Sequence, residues 1–485
     1  MGGPQRHRLL QGFPMLPLMR PAVSDESLRG RRSMRRRIDG ALEELGVPRV
    51  DKEPAWIRLD PHRPLIVGVL PHAQCNPRVE GCGFCTFPHD RYDKGTLRRT
   101  VSFVAEQVDA FFADHPEMKA RRVDGVYFGG ATANLTPPAM LRELGERLTK
   151  HLDLGQAEVT LEGVPSLFRS LLDGPFEVLL GMPARHRRIS MGVQTFDPTQ
   201  LARMGRQGFG DRAVVAKVVD KAHKNGMTVS GDFLVNLPHQ SREQMLADAR
   251  EATALGFDQI CVYNLVLAEG MGTPWASDPT QLAALPTVAD ACAHWLALRE
   301  WLLSNGWVQT TLTNFERADV HASPRRFVYE EYSFTPDRYD GLGFGPHAIS
   351  TFVDLERRRA IKFVRGKSTL EWKNLDLYFP YAEEDLELLH LTRTLARMKV
   401  DRATFASLFG TDLTSRYADA VRAVVDEGLA TLDEQALTLT PRGMAYADSV
   451  AGLFSWRRVE ALRETGGGMH TRDLLQQRML VDFMG

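Results

Sequence analysis

Between about residues 60 and 350, short apolar runs rich in β-branched residues alternate with longer stretches of helical pattern. The runs predict strands at Leu65–Leu70, Val123–Phe128, Glu158–Leu161, Ile189–Val193, Thr228–Val235 and Gln259–Leu265. The helical stretches between them include Val101–Ala113, Pro138–His151, Ala213–Asn225 and Arg242–Leu255. Because strands joined by crossover helices lie parallel, this alternation predicts an α/β fold, either a doubly wound sheet or a full or partial barrel.

The alternation stops near residue 375, and the rest of the chain follows another pattern. Helices are predicted at Glu383–Met398, Arg402–Phe409 and Ser415–Glu427, then a short hairpin of Leu429–Leu432 and Leu437–Leu439, then a helix from Pro441 to about Phe454. This order is typical of a winged helix. We therefore expect a basic N-terminal extension over residues 1–58, a main domain over 59–370, and a helical, winged-helix-like domain with its tail over 371–485.

Charge and composition limit the class of partner. Hydrophobic residues make up 43% and charged residues 25% of the chain, with a formal net charge of −1, so no global attraction to polyanions or membrane surfaces is expected. The local exception is the first forty residues, where nine Arg face three acids; we interpret them as a solvated arm or outer helix. No apolar run approaches the roughly 20 residues that span a bilayer. The hairpin region lacks the dense Lys and Arg of nucleic-acid contacts.

Three of the five cysteines lie within eleven residues, directly after the first predicted strand. An odd, small cysteine count argues against a disulfide framework and favours a reducing cytoplasm. Thiolates at the close spacing of Cys75, Cys82 and Cys85 select zinc or an iron–sulfur cluster. The remaining two, Cys261 and Cys292, lie in apolar patterns and are interpreted as buried small hydrophobes.

The number of clustered thiols distinguishes a zinc site from an iron–sulfur cluster. A structural zinc ion needs four closed ligands, and no fourth cysteine is nearby. A [4Fe–4S] cluster on three thiolates leaves one iron open, where a cofactor can bind and be reduced. The alternatives are a zinc site completed by His72 or His89, and three unconnected thiols.

Further motifs follow the cysteines in order. They are Tyr127-Phe-Gly129-Gly130-Ala-Thr132, Val159-Thr-Leu-Glu162, Arg188-Ile-Ser-Met-Gly192-Val-Gln194-Thr-Phe196, Gly205-Arg206 and Asp232-Phe-Leu-Val-Asn-Leu-Pro238. The ordered set over about residues 60–350 resembles the HemN-like branch of the radical S-adenosylmethionine (SAM) superfamily, whose founding members are oxygen-independent coproporphyrinogen III oxidases. Residues 380–455 resemble the C-terminal module of that branch.

The resemblance implies a fold, two cofactors and a set of ligands. The fold is a partial (β/α)6-type barrel with a C-terminal helical, winged-helix-like domain. A [4Fe–4S] cluster would be held by Cys75, Cys82 and Cys85, with SAM on the open iron and reductively cleaved to a 5′-deoxyadenosyl radical. The implied SAM-binding residues are Phe84, Gly129, Gly130, Thr132, Glu162, Gln194, Arg206 and Asp232.

Each implied SAM ligand has a chemical reason and an alternative. Phe84 would shield the cluster near the adenine, and the glycines with Thr132 would offer backbone groups to the SAM amino end. Carboxylates such as Glu162 and Asp232 suit ribose hydroxyls or the SAM amine. A guanidinium such as Arg206 suits the SAM carboxylate, and Gln194 would hydrogen-bond within the same site. Plain turns or internal hydrogen bonds unrelated to SAM are the alternatives, and no catalytic residue is assigned.

The chain departs from the porphyrinogen-oxidase pattern in three places. The first cysteine gap holds six residues instead of three, no Tyr precedes the cysteines, and Gly-Gly-Gly-Thr-Pro has become Gly129-Gly-Ala-Thr-Ala133. We therefore expect another HemN-like activity that uses two SAM molecules, one as radical source and one as carbon donor. The expected reaction is transfer of a methyl or methylene carbon to an unsaturated or aromatic small molecule (methylation or cyclopropanation) in natural-product biosynthesis.

Such an enzyme needs an external electron donor such as flavodoxin or ferredoxin. Two other functions remain open at this point. One is oxidative decarboxylation of the coproporphyrinogen type, and the other is a haem-binding chaperone.

Overall fold

A computed structural model describes residues 59–75, 82–85, 90–169, 173–267, 273–365 and 377–464. The expected N-terminal extension, His89 and the C-terminal tail lie outside the described residues. All three clustered cysteines lie within them.

The main sheet contains twelve described strands, in the order β12-β11-β10-β9-β1-β2-β3-β4-β5-β6-β8-β7. They are β1 Leu65–Val69, β2 Val123–Phe128, β3 Glu158–Gly163, β4 His186–Gln194, β5 Thr228–Val235, β6 Gln259–Asn264, β7 Trp307–Gln309, β8 Asn314–Arg317, β9 Asp340–Phe344, β10 Ile349–Asp354, β11 Arg359–Val364 and β12 Leu377–Tyr381. Strands β1 to β6 run parallel, with β9 parallel beside β1. The remaining strands extend both edges in antiparallel pairing. The predicted α/β partial barrel is confirmed.

Helices cover the outer face of this sheet, fill one end of its interior and form most of the C-terminal part. They are α1 Lys94–Asp114, α2 Pro138–His151, α3 Pro165–Phe168, α4 Pro175–Gly181, α5 Pro198–Arg203, α6 Arg212–Lys224, α7 Arg242–Leu255, α8 Pro279–Ala283, α9 Val288–Ser304, α10 Ala318–His321, α11 Val328–Ser333, α12 Glu383–Ala396, α13 Arg402–Phe409, α14 Leu413–Arg416, α15 Ala418–Asp426, α16 Pro441–Ala445 and α17 Ala447–Glu464. No helix among the described residues has the length and apolar character needed to cross a membrane.

Alternation along the parallel strands separates an apolar outer face from a polar interior. On β4, Ile189 and Met191 are fully buried in the hydrophobic core, while Ser190 between them lies on the opposite face. In register, Glu162 of β3 lies opposite Ser190, and Gly192 lies opposite Asp232 of β5. The carboxyl ends of neighbouring parallel strands therefore bring polar side chains together at one end of the barrel.

The other end of the barrel interior is filled by α11. The amide of Val328 donates to a carboxylate oxygen of Glu158 at 3.0 Å. A Cβ added at Gly125 of β2 would lie 3.2 Å from Cβ of Tyr329. Arg188 is also buried here, with its guanidinium carbon 3.4 Å from the centroid of the Phe327 ring.

The C-terminal part follows the predicted order with two breaks. A three-stranded sheet forms from β13 (Lys399–Asp401), β14 (Ala430–Leu432) and β15 (Ala436–Leu439), in the order β13-β15-β14. The prediction of a single helix over Ser415–Glu427 is wrong, because the helix is interrupted at Tyr417. The hydroxyl of Tyr417 donates to Glu387 at 3.0 Å. The helix predicted from Pro441 likewise divides at Tyr446.

Candidate active site

The three clustered cysteines lie on the loop between β1 and α1, and all three are partly buried. The loop turns because the amide of Cys85 donates to the carbonyl of Cys82 at 3.0 Å. Burial first, and then the charges of Cys85 and Cys82, raise the pKa of the Cys75 thiol to about 12. The hydroxyl of Thr132 hydrogen-bonds to the same thiol. The structure therefore brings the three thiols within electrostatic range of one another.

Three partly buried thiols this close together are better explained as ligands of iron than as thiols without a metal. Burial also raises the pKa of Cys82, although the neighbouring Arg206 opposes that shift. Thiols of raised pKa become thiolates when bound metal compensates their charge. Among the described residues, no group of three His, Cys, Asp or Glu side chains is arranged around a single metal ion. In a four-iron cluster each thiolate binds a different iron, so the thiols need not share one ion.

Arg206 connects the cysteine loop to β4. Its Nη1 donates to Sγ of Cys82 at 3.1 Å, and its Nη2 donates to the carbonyl of Gly192 at 2.6 Å. The guanidinium lies over the ring of Phe209, 4.2 Å from the centroid. Nε is buried and has no hydrogen-bond partner in the described part of the chain. A guanidinium fixed beside a cluster thiol, with one unused donor, is suited to a carboxylate ligand.

Gln194 ends β4 beside this arginine. The register with β5 shifts between Gly192 and Gln194, and Gln194 has a φ of 71°, a left-handed conformation that non-glycine residues adopt rarely. A Cβ on Gly192 would lie 3.1 Å from Nε2 of Gln194 and 3.2 Å from Nη2 of Arg206. Glycine therefore allows the amide and the guanidinium to share this space.

Glu162 and Asp232 supply two buried carboxylates at the same end of the barrel. Glu162 accepts hydrogen bonds from the hydroxyl of Tyr127 and the amide of Gly130. Burial, and secondly the charge of Asp232, raise the pKa of Glu162 to about 8. Burial also raises the pKa of Asp232 to about 6. Carboxylates whose charge is penalised in this way are suited to a cationic ligand that restores the ionised form.

Gly129 permits the close packing around Glu162. A Cβ at this position would lie 2.7 Å from Oε2 of Glu162 and 2.7 Å from Cε1 of Tyr127. Gly130 follows with a φ of 112°, which glycine adopts without strain. The strand end therefore directs backbone groups toward the carboxylate.

Phe84 lies on the other side of the cysteine loop. Its ring contacts that of Trp275 edge-on, with 6.0 Å between centroids, in a small apolar cluster that includes Leu234 and Leu265. The carbonyl of Gly83 accepts from the amide of Trp275 at 2.9 Å. Phe84 thus anchors the loop on the ends of β5 and β6.

The structure gathers all the residues that the sequence selected, and it adds two. Tyr127 contacts Glu162, and its position near the end of β2, two residues before Gly129, was the available signal. Trp275 holds the loop from a distant part of the chain, and no sequence pattern indicated this contact. His72 is buried, and its Nδ1 accepts from the amide of Gln74 at 3.1 Å.

The two cysteines outside the loop were interpreted as core residues, and the structure confirms their burial. Cys261 is 3% exposed, and its thiol donates to Oδ1 of Asn314 at 2.5 Å. Cys292 is 8% exposed and hydrogen-bonds to Tyr446. Cys261 nevertheless also contacts Asp232, so its substitution would disturb the carboxylate pair.

Comparison with known families identifies two regions of similarity. A family model described as the radical SAM superfamily matches residues 70–252, and one described as the HemN C-terminal domain matches residues 393–446. The first region contains the cysteine loop and every SAM-binding candidate. The second lies in the C-terminal helical part.

Curated relatives fall into two named groups. An oxygen-independent coproporphyrinogen III oxidase of Cereibacter sphaeroides is 28% identical over 248 residues, 48% of this chain and 53% of that protein. The match thus spans about half of that oxidase. A heme chaperone, HemW, of Escherichia coli is 24% identical over 400 residues, 78% of this chain and 95% of that protein.

A solved structure shares the fold. The coproporphyrinogen III oxidase HemN of Escherichia coli, described as a radical SAM enzyme, aligns with a TM-score of 0.66 and 17% identity. The alignment covers 86% of this chain and 93% of that one. At this identity the likeness supports the architecture alone.

Proposed function

Because this chain belongs to the HemN-like branch of the radical SAM superfamily, we propose that it cleaves SAM reductively and abstracts a hydrogen atom from a small-molecule substrate. A radical SAM enzyme uses a [4Fe–4S] cluster and SAM. The observation that supports the proposal is the convergence of two ligand sets. Arg206 contacts Cys82 on one side and the end of β4 on the other, where the carboxylates of Glu162 and Asp232 also lie.

Cys75, Cys82 and Cys85 would hold the cluster. When bound, the cluster would supply the electron that splits SAM into methionine and a 5′-deoxyadenosyl radical. The chain's own contribution at this point is positional. Thr132 fixes the Cys75 thiol and Arg206 fixes the Cys82 thiol, while Trp275 and Phe84 hold the loop against β5 and β6.

SAM would be oriented by charge at both ends of its methionine part. The free Nε of Arg206 would bind the carboxylate, because a charge-assisted hydrogen bond is stronger than a neutral one. Glu162 and Asp232 would bind the ammonium group or the ribose hydroxyls. Binding of a cation would keep these two carboxylates ionised against the effect of burial. Gln194 and the Gly129–Gly130 backbone would complete the polar contacts.

For the reaction that follows, oxidative decarboxylation of the coproporphyrinogen type is the better-supported candidate. It is the activity in the name of the Cereibacter relative. The carbon transfer expected from the sequence departures receives no support from these relatives. Its basis remains the six-residue cysteine gap and the changed glycine motif alone.

A haem-chaperone function is the second candidate. The observation in its favour is the length of the match to HemW, which covers 95% of that protein. A chaperone of this kind would bind haem without transforming a porphyrinogen. The decarboxylase therefore predicts a vinyl product, whereas the chaperone predicts haem binding and no such product.

One product analysis separates these functions. The chain, with its cluster reconstituted anaerobically, is incubated with SAM, dithionite and coproporphyrinogen III, and the products are followed by mass spectrometry. Cleavage to 5′-deoxyadenosine with vinyl-group formation would support the decarboxylase. Equal amounts of 5′-deoxyadenosine and S-adenosylhomocysteine would support carbon transfer. In a separate titration with haem, stoichiometric haem binding by a chain that does not cleave SAM would support the chaperone and overturn the enzymatic proposal.

A further inference from the structure

The cysteine loop is flanked by exposed cations that the proposed function does not use. We propose that Arg91, Lys94, Arg98 and Arg203, here named the basic rim, dock an acidic one-electron carrier protein. This inference rests on the proposed cluster at the three cysteines. It adds the surface through which that cluster would be reduced.

Hydrogen bonds fix the first part of the rim beside Cys75. The amide of Asp90 donates to the carbonyl of Ala73 at 2.7 Å. The amide of Asp93 donates to the side-chain oxygen of Gln74, the neighbour of Cys75, at 2.9 Å. Arg91 and Lys94 belong to this short segment, and both are exposed.

Arg203 approaches the loop from the side of Cys82. Its carbonyl accepts from the indole N–H of Trp275 at 3.3 Å. The next residue, Met204, accepts from the amide of Gly83 at 3.3 Å. The side chain of Arg203 is exposed. Cations from two separate elements therefore flank the loop that would carry the cluster.

The rim cations have no acidic partner among the described residues. Several other exposed cations do pair with carboxylates, as in Arg142–Asp173, Arg212–Glu251 and Lys224–Asp220. Across the described residues, no salt bridge involves Arg91, Lys94, Arg98 or Arg203. The acids within the rim segment are Asp90 and Asp93, and Asp93 caps α1 by accepting from the amide of Thr96. The positive charge of the rim is therefore available to attract an acidic partner.

Within the rim, Lys94 does not stabilise the helix on which it lies. Helix α1 has no acidic residue in its first turn, and Lys94 is its first residue. Positive charge near a helix amino terminus is unfavourable by a few tenths of a kcal/mol or more, about the size of the favourable effect of an acid there. A local choice that opposes stability is expected where function requires it.

The chemistry of the site identifies the kind of partner. When SAM is cleaved reductively, the bond between sulfur and C5′ breaks, sulfur keeps the electron pair in methionine, and one added electron is consumed. The carrier is oxidised by one electron for each SAM cleaved. Because electron transfer weakens steeply with distance, the carrier must bind close to the cluster. A negatively charged carrier such as a flavodoxin complements the rim and would be steered to it.

The test compares a charge-reversed rim with a matched control. The rim variant is Arg91→Glu with Lys94→Glu. The control is Lys119→Glu with Lys217→Glu, which changes the net charge equally at two exposed positions away from the cysteine loop. Affinity for an acidic flavodoxin is measured by titration calorimetry at low and high salt. We expect the dissociation constant to rise about tenfold or more for the rim variant, with the control within about twofold of wild type.

Electron delivery gives a second readout on the same proteins. The initial rate of 5′-deoxyadenosine formation is followed with reduced flavodoxin and, separately, with dithionite, which needs no docking surface. The rim variant should show a raised KM for flavodoxin with an unchanged dithionite rate. Equal flavodoxin affinity in rim variant and wild type would overturn the inference.

Two further outcomes are distinguishable. If the wild type cleaves no SAM with either reductant, the proposed function is contradicted. The calorimetric comparison would still show whether flavodoxin binds at the rim. Rim-dependent binding of short duplex DNA or anionic vesicles, with flavodoxin affinity unaffected, would assign the rim to another polyanion and overturn the inference.

Discussion

Nη1 of Arg206 lies 3.1 Å from Sγ of Cys82, although the two residues are 124 positions apart in the chain. The same guanidinium donates to the carbonyl of Gly192 at the end of β4. This one side chain therefore connects the proposed cluster loop to the strand end that would carry SAM. The cluster and its ligand are positioned by a shared contact.

Substituting Arg206 should separate cluster binding from SAM binding. We expect Arg206→Met to retain iron but to weaken SAM binding about tenfold or more, since a charge-assisted hydrogen bond is removed. Arg212→Met, on the exposed surface of α6, is the control. Equilibrium dialysis with labelled SAM measures the affinity. Unchanged SAM affinity in the Arg206 variant would argue against its assigned role.

The cysteines should fall into two classes when their iron content is measured. Cys82→Ser should lower the iron and sulfide content after anaerobic reconstitution well below the about four of each expected per chain. Cys292→Ser, which alters a buried thiol away from the loop, should leave the content unchanged. Equal iron in both variants would show that the loop does not hold the cluster.

Glu162 should make stability depend on pH. Its pKa is raised to about 8 by burial, above an unfolded value of about 4.3. Between these two values the folded state binds more protons than the unfolded state, so stability should fall as pH rises from about 4.5 to 8. Glu162→Gln should flatten this fall, whereas Glu146→Gln on the exposed face of α2 should not.

Denaturant midpoints measured at pH 5 and pH 8 in the absence of SAM would show the difference. If Glu162→Gln and wild type lose stability equally over that range, the buried-carboxylate account is contradicted. Added SAM should reduce the pH dependence of the wild type, because a bound cation favours the ionised carboxylate.

Gly129 should be intolerant of a methyl group. Its Cβ would lie 2.7 Å from both Oε2 of Glu162 and Cε1 of Tyr127, and relieving such contacts costs about 1–3 kcal/mol. We expect Gly129→Ala to lose stability of this order and to bind SAM more weakly. Gly181→Ala places its Cβ in open space and serves as the control. Chemical denaturation and SAM titration of both variants provide the check.

The fold was predictable because the hydrophobic pattern of its central strands is strong. The predicted strands Val123–Phe128 and Thr228–Val235 match β2 and β5 as the structure has them. Strands β7 to β12, of which β9 runs parallel beside β1 and the others pair antiparallel, were not predicted. Strands such as Trp307–Gln309 are short, and their pairing depends on the neighbouring parallel sheet more than on their own sequence.

The site was predictable from ordered motifs because the motifs lie in or just after strands that open at the same edge of the barrel. Glu162 lies beside Ser190 of β4, and Asp232 lies beside Gly192 two residues further along that strand. The two carboxylates are close enough for the charge of Asp232 to raise the pKa of Glu162.

The contacts of Trp275 with the cysteine loop were not predictable, since they join distant parts of the chain through backbone and ring geometry. The proximity of the rim cations to the cysteine loop was likewise not predictable, since it depends on the contact between Asp93 and Gln74.

SAM should bind an iron–sulfur cluster held by Cys75, Cys82 and Cys85. Electron paramagnetic resonance of the reduced, reconstituted chain, with and without SAM, measures that binding at the cluster itself. We predict a [4Fe–4S]⁺ signal that changes when SAM is added to the wild type, and that needs at least about tenfold more SAM to change in Arg206→Met. A signal unaffected by SAM in the wild type, or the same signal in Cys82→Ser, would contradict the claim.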